Sequence, residues 1–149
     1  MATVDAFIAA PPPDVYAVLA DGWLYSNWVV GTSHMRAVGQ EWPAAGSKLH
    51  HASGIWPLAF RDESEVVATE PDRSLTLTVK GRPFGEARVE MELTAEGAGT
   101  RVTMLEEPIR GPGKWLHNPV SDALLLRRNV ESLARLAAIA ERRTKPAEG

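Results

Sequence analysis

The stretch from Asn118 to Arg143 constrains this chain more than any other, because it admits little but one long helix. Asn118 stands where an N-cap belongs, and Pro119 follows at the first helical position, where a missing N–H costs nothing. Arg142, Arg143 and Lys145 gather at the other end and suit the negative pole, and Pro146 stops the helix. At 1.5 Å per residue this is a rod of about 35–40 Å. A rod of that length must bury one side, so the rest of the chain has to supply something to cover it.

The spacing predicts an apolar stripe through Ala123, Leu126, Val130, Leu133, Ala137 and Ala140. Arg127, Arg128, Glu131, Arg135 and Arg142 fall on the opposite, solvent side, with Arg127–Glu131 and Glu131–Arg135 as i,i+4 pairs. Asp122 and Asn129 interrupt the apolar side. A buried amide needs partners. For Asn129 the plain reading is a bond to a strand carbonyl, and the functional reading is a side chain projecting into a pocket.

Upstream, the dominant period is two. Thr3–Ala9 reads as a strand. Pro11-Pro12-Pro13 opens a short helix carrying Val15, Tyr16, Val18 and Leu19, and a second short helix runs from Trp23 to Val29. Strands are then expected over Ser33–Val38, Ser47–Ser53 and Leu58–Thr69, the last long enough to hold a bend. Leu75, Leu77 and Val79 alternate with polar residues, as do Val89, Met91 and Leu93, and Val102 and Met104. Glu96-Gly97-Ala98-Gly99 is a hairpin signal. The expected fold class is α+β: a curved antiparallel sheet of about seven strands around the terminal helix, with two short helices after the first strand. Residues 1–143 are read as one domain, with a frayed tail from Thr144 to Gly149. A strongly twisted sheet gripping one helix leaves concave volume that side chains do not fill, which predicts a cavity for a small apolar molecule.

Composition narrows the function classes. A net charge of −3 offers no basic field for nucleic acid or an anionic membrane. With no cysteine, disulfides and thiolate metal sites are excluded, which fits a reducing cytoplasm. No basic, apolar leader opens the chain, and no apolar run approaches a membrane span.

Several stretches resemble the polyketide cyclase/dehydrase branch of the START-like (SRPBCC) superfamily, whose fold is the helix-grip. They are Pro13-Asp14-Val15-Tyr16-Ala17-Val18-Leu19-Ala20-Asp21 with Trp28 beyond, and Gly46-Ser47-Lys48-Leu49-His50-His51. Trp56-Pro57-Leu58, Gly99-Thr100-Arg101-Val102-Thr103 and Arg128-Asn129-Val130-Glu131-Ser132-Leu133 match as well. These are markers of fold and name no chemistry, because the superfamily spans aromatase/cyclases, lipid carriers, hormone receptors and chaperone co-activators.

Candidate site residues follow from which side of each strand they occupy. His50 and His51 are neighbours on a strand and face opposite ways, so they do not share a ligand. The bland alternative for each is a hydrogen-bonded structural histidine. The sharper one has His34 or His50 facing inward as a general base or as a donor to a ligand carbonyl. The phase of Val102 and Met104 turns Glu106 inward, to a cavity mouth or to a salt bridge with Arg110 or another arginine. A bulge after Met104 would turn Glu107 inward instead. Among the five tryptophans, Trp28 and Trp56 are expected as cavity walls, together with Met91, Met104, Leu126, Asn129 and Leu133. Trp115, in a glycine-rich loop before the long helix, is a flap or an anchor.

The sequence lacks G-x-S-x-G, phosphate-loop and H-E-x-x-H motifs, so no nucleotide, metal or other cofactor is implied. Three functions remain. The first is binding of a hydrophobic polyketide, lipid or aromatic metabolite. The second is cofactor-independent cyclase/aromatase or dehydratase catalysis, in which the cavity confines a reactive chain. The third is a protein-interaction role like that of the chaperone co-activators, which requires an exposed apolar patch. A homodimer is compatible with all three and required by none.

Overall fold

The computed structural model describes residues 2–21, 24–28, 32–39, 41–53, 60–81, 85–110 and 119–144. For some of these, His34 and His51 among them, only the backbone is described. Among the described residues, seven strands form one antiparallel sheet: β1 (Ala2–Ile8), β2 (Thr32–Val38), β3 (Lys48–Ser53), β4 (Phe60–Glu70), β5 (Ser74–Gly81), β6 (Gly85–Glu96) and β7 (Gly99–Arg110). Their spatial order is β1-β7-β6-β5-β4-β3-β2. Two short helices, α1 (Pro12–Leu19) and α2 (Tyr25–Trp28), carry the chain from the β1 edge to the β2 edge. The terminal helix α3 runs from Pro119 to Thr144, as the periodicity predicts, and the N-cap assigned to Asn118 lies outside the described residues.

The period of two places the core. Leu75 and Leu77 of β5, Val89, Met91 and Leu93 of β6, and Val102 and Met104 of β7 are all buried, while Thr94, Arg88 and Glu92 on the other face are exposed. Register aligns these residues in rows across the sheet. Leu75 stands opposite Met91, Met91 opposite Met104, and Met104 opposite Val4. Each fully buried leucine or methionine contributes about 1.5–3 kcal/mol. The long fourth strand, which the sequence allows to hold a bend, has a register shift between Val66 and Ala68.

Helix α3 packs along β1, α1 and α2. The backbone N–H of Ala9, just past β1, donates to Glu141 Oε1 at 3.0 Å and ties the strand's end to the helix's last turns. Trp42, expected only as part of a loop, is buried, and its indole N–H donates to the Leu19 carbonyl at 3.2 Å, closing the end of α1. At the β6–β7 hairpin, Gly97 has φ 60, a conformation that glycine adopts without a Cβ penalty.

The buried side of α3 is not the expected stripe. Leu133 and Ala140 are buried as predicted, but Ala123 is exposed, Leu126 is 37% exposed and Val130 57% exposed. The true stripe runs through Asn129, Ser132, Leu133, Leu136 and Ala140. It is rotated from the predicted one by roughly three-quarters of a residue step, at 3.6 residues per turn. Two polar residues at its centre disguise it, and they are admitted because partners await them there. Among the described residues, no helix is long and apolar enough to cross a membrane.

Candidate functional site

Glu106 is the one acidic side chain among the described residues that strand phase drives into the core. The β6–β7 pairing runs unshifted from Ala87 to Glu96, with Val89 opposite Glu106, so no bulge intervenes and Glu107 is exposed. The row through this point reads Val66, Leu77, Val89, Glu106, Ala2 across five strands. A carboxylate therefore replaces the apolar residue that the row would otherwise have. Its side chain is 9% exposed.

Two consecutive residues of α3 meet it. Arg128 Nη2 donates to both Glu106 oxygens at 2.6 Å, and Asn129 Nδ2 donates to Oε2 at 3.1 Å. The expected salt bridge exists, but its cation is Arg128, which the helical wheel had assigned to solvent; the Arg110 side chain lies outside the described residues. Arg128 flanks the true stripe, and its long stem bends back over the edge, leaving the side chain 41% exposed. Drawing the stripe through Asn129 instead of Leu126 would have found it. Asn129 in turn bonds a strand carboxylate and not the strand carbonyl anticipated for it.

The orientation of the Asn129 amide follows from chemistry. A carboxylate paired with a guanidinium only accepts, so the NH₂ must face it and Oδ1 must face away. Asn129 is 1% exposed, and among the described residues its Oδ1 is the one buried side-chain oxygen or nitrogen without a hydrogen-bond partner. Buried polar atoms are almost always paired, and an unpaired one marks a place where something is held or strain is stored.

The other expected site residues fall into three groups. Met91, Met104, Leu133 and Trp28 are buried, the first two on the sheet's inner face and the last two on α3 and α2. Leu126 is 37% exposed. His50 is turned away: Leu49 beside it is fully buried, so alternation puts His50 on the outer face with Lys48. There it pairs in register with Glu63, whose carboxylate meets Lys48 Nζ at 3.4 Å and Lys80 Nζ at 3.8 Å. His50 is thus removed from the inward candidates, because β3 is phased on Leu49. His34 lies in β2 in register with Ala52, its side chain outside the described residues. Trp56 and the flap or anchor at Trp115 lie outside them entirely. Among the described residues, no group of three histidine, aspartate or glutamate side chains could hold a metal ion.

The described centre is therefore an apolar sheet face with one ion pair at its edge and one amide oxygen left over. The amide oxygen can accept a hydrogen bond. As a proton acceptor, Glu106 would first have to loosen its hold on Arg128.

Solved structures share this architecture. The aromatase/cyclase ZhuI from Streptomyces sp. R1128 superposes with a TM-score of 0.71 at 18% identity, over 99% of this chain and 96% of that one. TTHA0849 from Thermus thermophilus also gives 0.71 at 18% identity, over 97% and 99%. CV1439 from Chromobacterium violaceum gives 0.70 at 17% identity, over 93% and 96%. At these identities the likeness concerns the fold. No curated protein sequence matches the chain. The profile of one family spans residues 1–141, and by that match the chain belongs to the family described as polyketide cyclase / dehydrase and lipid transport.

Proposed function

We propose that this protein binds a hydrophobic small molecule of polyketide, lipid or aromatic type between α3 and the inner face of the sheet. Trp28, Met91, Met104 and Leu133 line its apolar part, and Glu106 with Asn129 forms its polar end. His34 and Trp56 belong to the same proposed wall. Family membership supports this reading, and one observation carries it: a buried carboxylate–amide pair set into an otherwise apolar row beneath the helix. Small-molecule sites have that composition, mostly apolar with a few converging polar groups. The test is titration with naphthols, fatty acids, long-chain alcohols and an anilinonaphthalene dye, followed by tryptophan fluorescence. Saturable quenching by at least one class is expected. A folded protein silent to all of them would remove the reading.

A second reading, a cofactor-independent cyclase/aromatase or dehydratase, draws on the same carboxylate. Glu106 is buried, lies on the inner face and is able to move a proton once its guanidinium partner shifts. Turnover of a poly-β-keto substrate that disappears in Glu106→Gln, with binding retained, supports it. Equal turnover in the two proteins takes Glu106 out of the chemistry. The protein-interaction reading has less to draw on: Leu126 and Val130 of α3 form an exposed pair, and Phe7 and Val67 are exposed on separate strands.

A further inference from the structure

Resting on the ligand-binding reading above, we infer that the ligand carries a neutral hydrogen-bond donor, a hydroxyl of phenol or alcohol type, and gives it to Asn129 Oδ1. Three observations converge. Asn129 is 1% exposed, so its free oxygen has no access to bulk water. Its NH₂ is committed to Glu106 Oε2 at 3.1 Å, which fixes Oδ1 as the side of the amide turned away from the carboxylate, buried and without a hydrogen-bond partner. Arg128, the cation of the cluster, is engaged with both carboxylate oxygens and is partly exposed, so it stands on the solvent side of the pair.

Among the described residues, the hydrogen-bonding capacity left free at the buried end of the cluster is therefore an acceptor, the Asn129 amide oxygen. A hydroxyl satisfies the amide oxygen. A methyl ether leaves it unpaired, and an anionic headgroup such as a fatty acid carboxylate brings more acceptors and a charge repelled by Glu106. The site as built selects hydroxylated aromatics and alcohols over fatty acids and over fully alkylated analogues of the same shape. Sites made to hydrogen-bond a ligand group discriminate strongly against the analogue lacking it, because a buried polar atom is then left unpaired.

The experiment uses matched pairs with the full chain at neutral pH, read by tryptophan fluorescence: 2-naphthol against 2-methoxynaphthalene, and 1-decanol against decyl methyl ether and decanoate. The hydroxyl member is expected to bind about five- to tenfold more tightly than its ether, and decanoate more weakly than decanol. In Asn129→Leu the hydroxyl-over-ether preference falls to within about twofold. Ethers or decanoate that match or exceed the hydroxyl compounds on the unaltered protein overturn the inference and leave the binding reading standing. A preference that survives Asn129→Leu in a folded protein overturns it too. If neither member of either pair binds, the binding reading fails and this inference fails with it.

Discussion

Asn129 of α3 donates its amide to Glu106 of β7 at 3.1 Å and keeps its own oxygen unpaired in the interior. The two residues are therefore unequal partners. Removing the carboxylate orphans both the Asn129 NH₂ and the Arg128 guanidinium, whereas removing the amide removes an unsatisfied acceptor and leaves Glu106 its arginine. Glu106→Leu is expected to cost about 2–3 kcal/mol and Asn129→Leu less than about 1 kcal/mol. Urea unfolding of the two variants checks the order. A costlier Asn129→Leu would mean the amide oxygen is satisfied in the free protein.

The Arg128–Glu106 contact is made through a single nitrogen, Nη2, and not through the guanidinium fork. A point charge at that place should serve nearly as well, so Arg128→Lys should retain more than about half of the coupling lost in Arg128→Ala. With 41% of the Arg128 side chain exposed, solvent screens the pair, and the coupling from a double-mutant cycle with Glu106→Gln should lie near 1 kcal/mol. A value of about 3 kcal/mol or more would show the pair to behave as fully buried.

The rotated stripe of α3 separates two sets of residues. Leu133→Ala and Leu136→Ala should each cost about 2–5 kcal/mol. Leu126→Ser and Val130→Ser should stay within about 0.5 kcal/mol of the parent. Chemical denaturation of the four variants distinguishes this arrangement from the stripe drawn through Leu126 and Val130.

Gly99 opens β7 against the end of β1. A Cβ at Gly99 would collide with the Phe7 ring and stand 2.5 Å from the Ile8 carbonyl oxygen. The ring can swing aside, but the backbone oxygen cannot. Gly99→Ala is expected to cost about 1–3 kcal/mol, and Phe7→Ala in the same chain should relieve little of it. Thermal unfolding of the single and double variants measures the difference.

On the surface of the same hairpin, Arg101 Nε donates to Glu96 Oε2 at 2.9 Å and Nη2 to Oε1 at 3.1 Å. The Arg101 hydrogen bonds hold the Glu96 carboxyl below its ordinary 4.5, and the same bonds raise Arg101. A depressed carboxyl stabilises the fold above its unfolded value, and that contribution is lost as pH falls through the depressed one. Arg101→Gln should bring the Glu96 midpoint back up toward 4.5 in an NMR titration. An unmoved midpoint would detach the shift from this pair.

The chain's own pattern determined the architecture. Alternation in β5, β6 and β7 gave each strand its inner face, and the 3.6-residue period with Pro119 at its start gave the terminal helix its extent. Glu106 was also legible, because strand phase is binary and no bulge broke it. What tertiary structure alone decided was rotation and pairing. A helix face is continuous, and with alanines on several sides of α3 a shift of less than one residue step changes which residues are buried at little apparent cost to the pattern. Asn129 and Ser132 look polar in the sequence but lie at the helix's buried centre, since a carboxylate stands opposite Asn129 across 23 residues of chain. Arg128 looks solvent-bound for the same reason. His50 shows the converse: its neighbour Leu49 took the inner face of β3, and only the sheet could say which of the two would win.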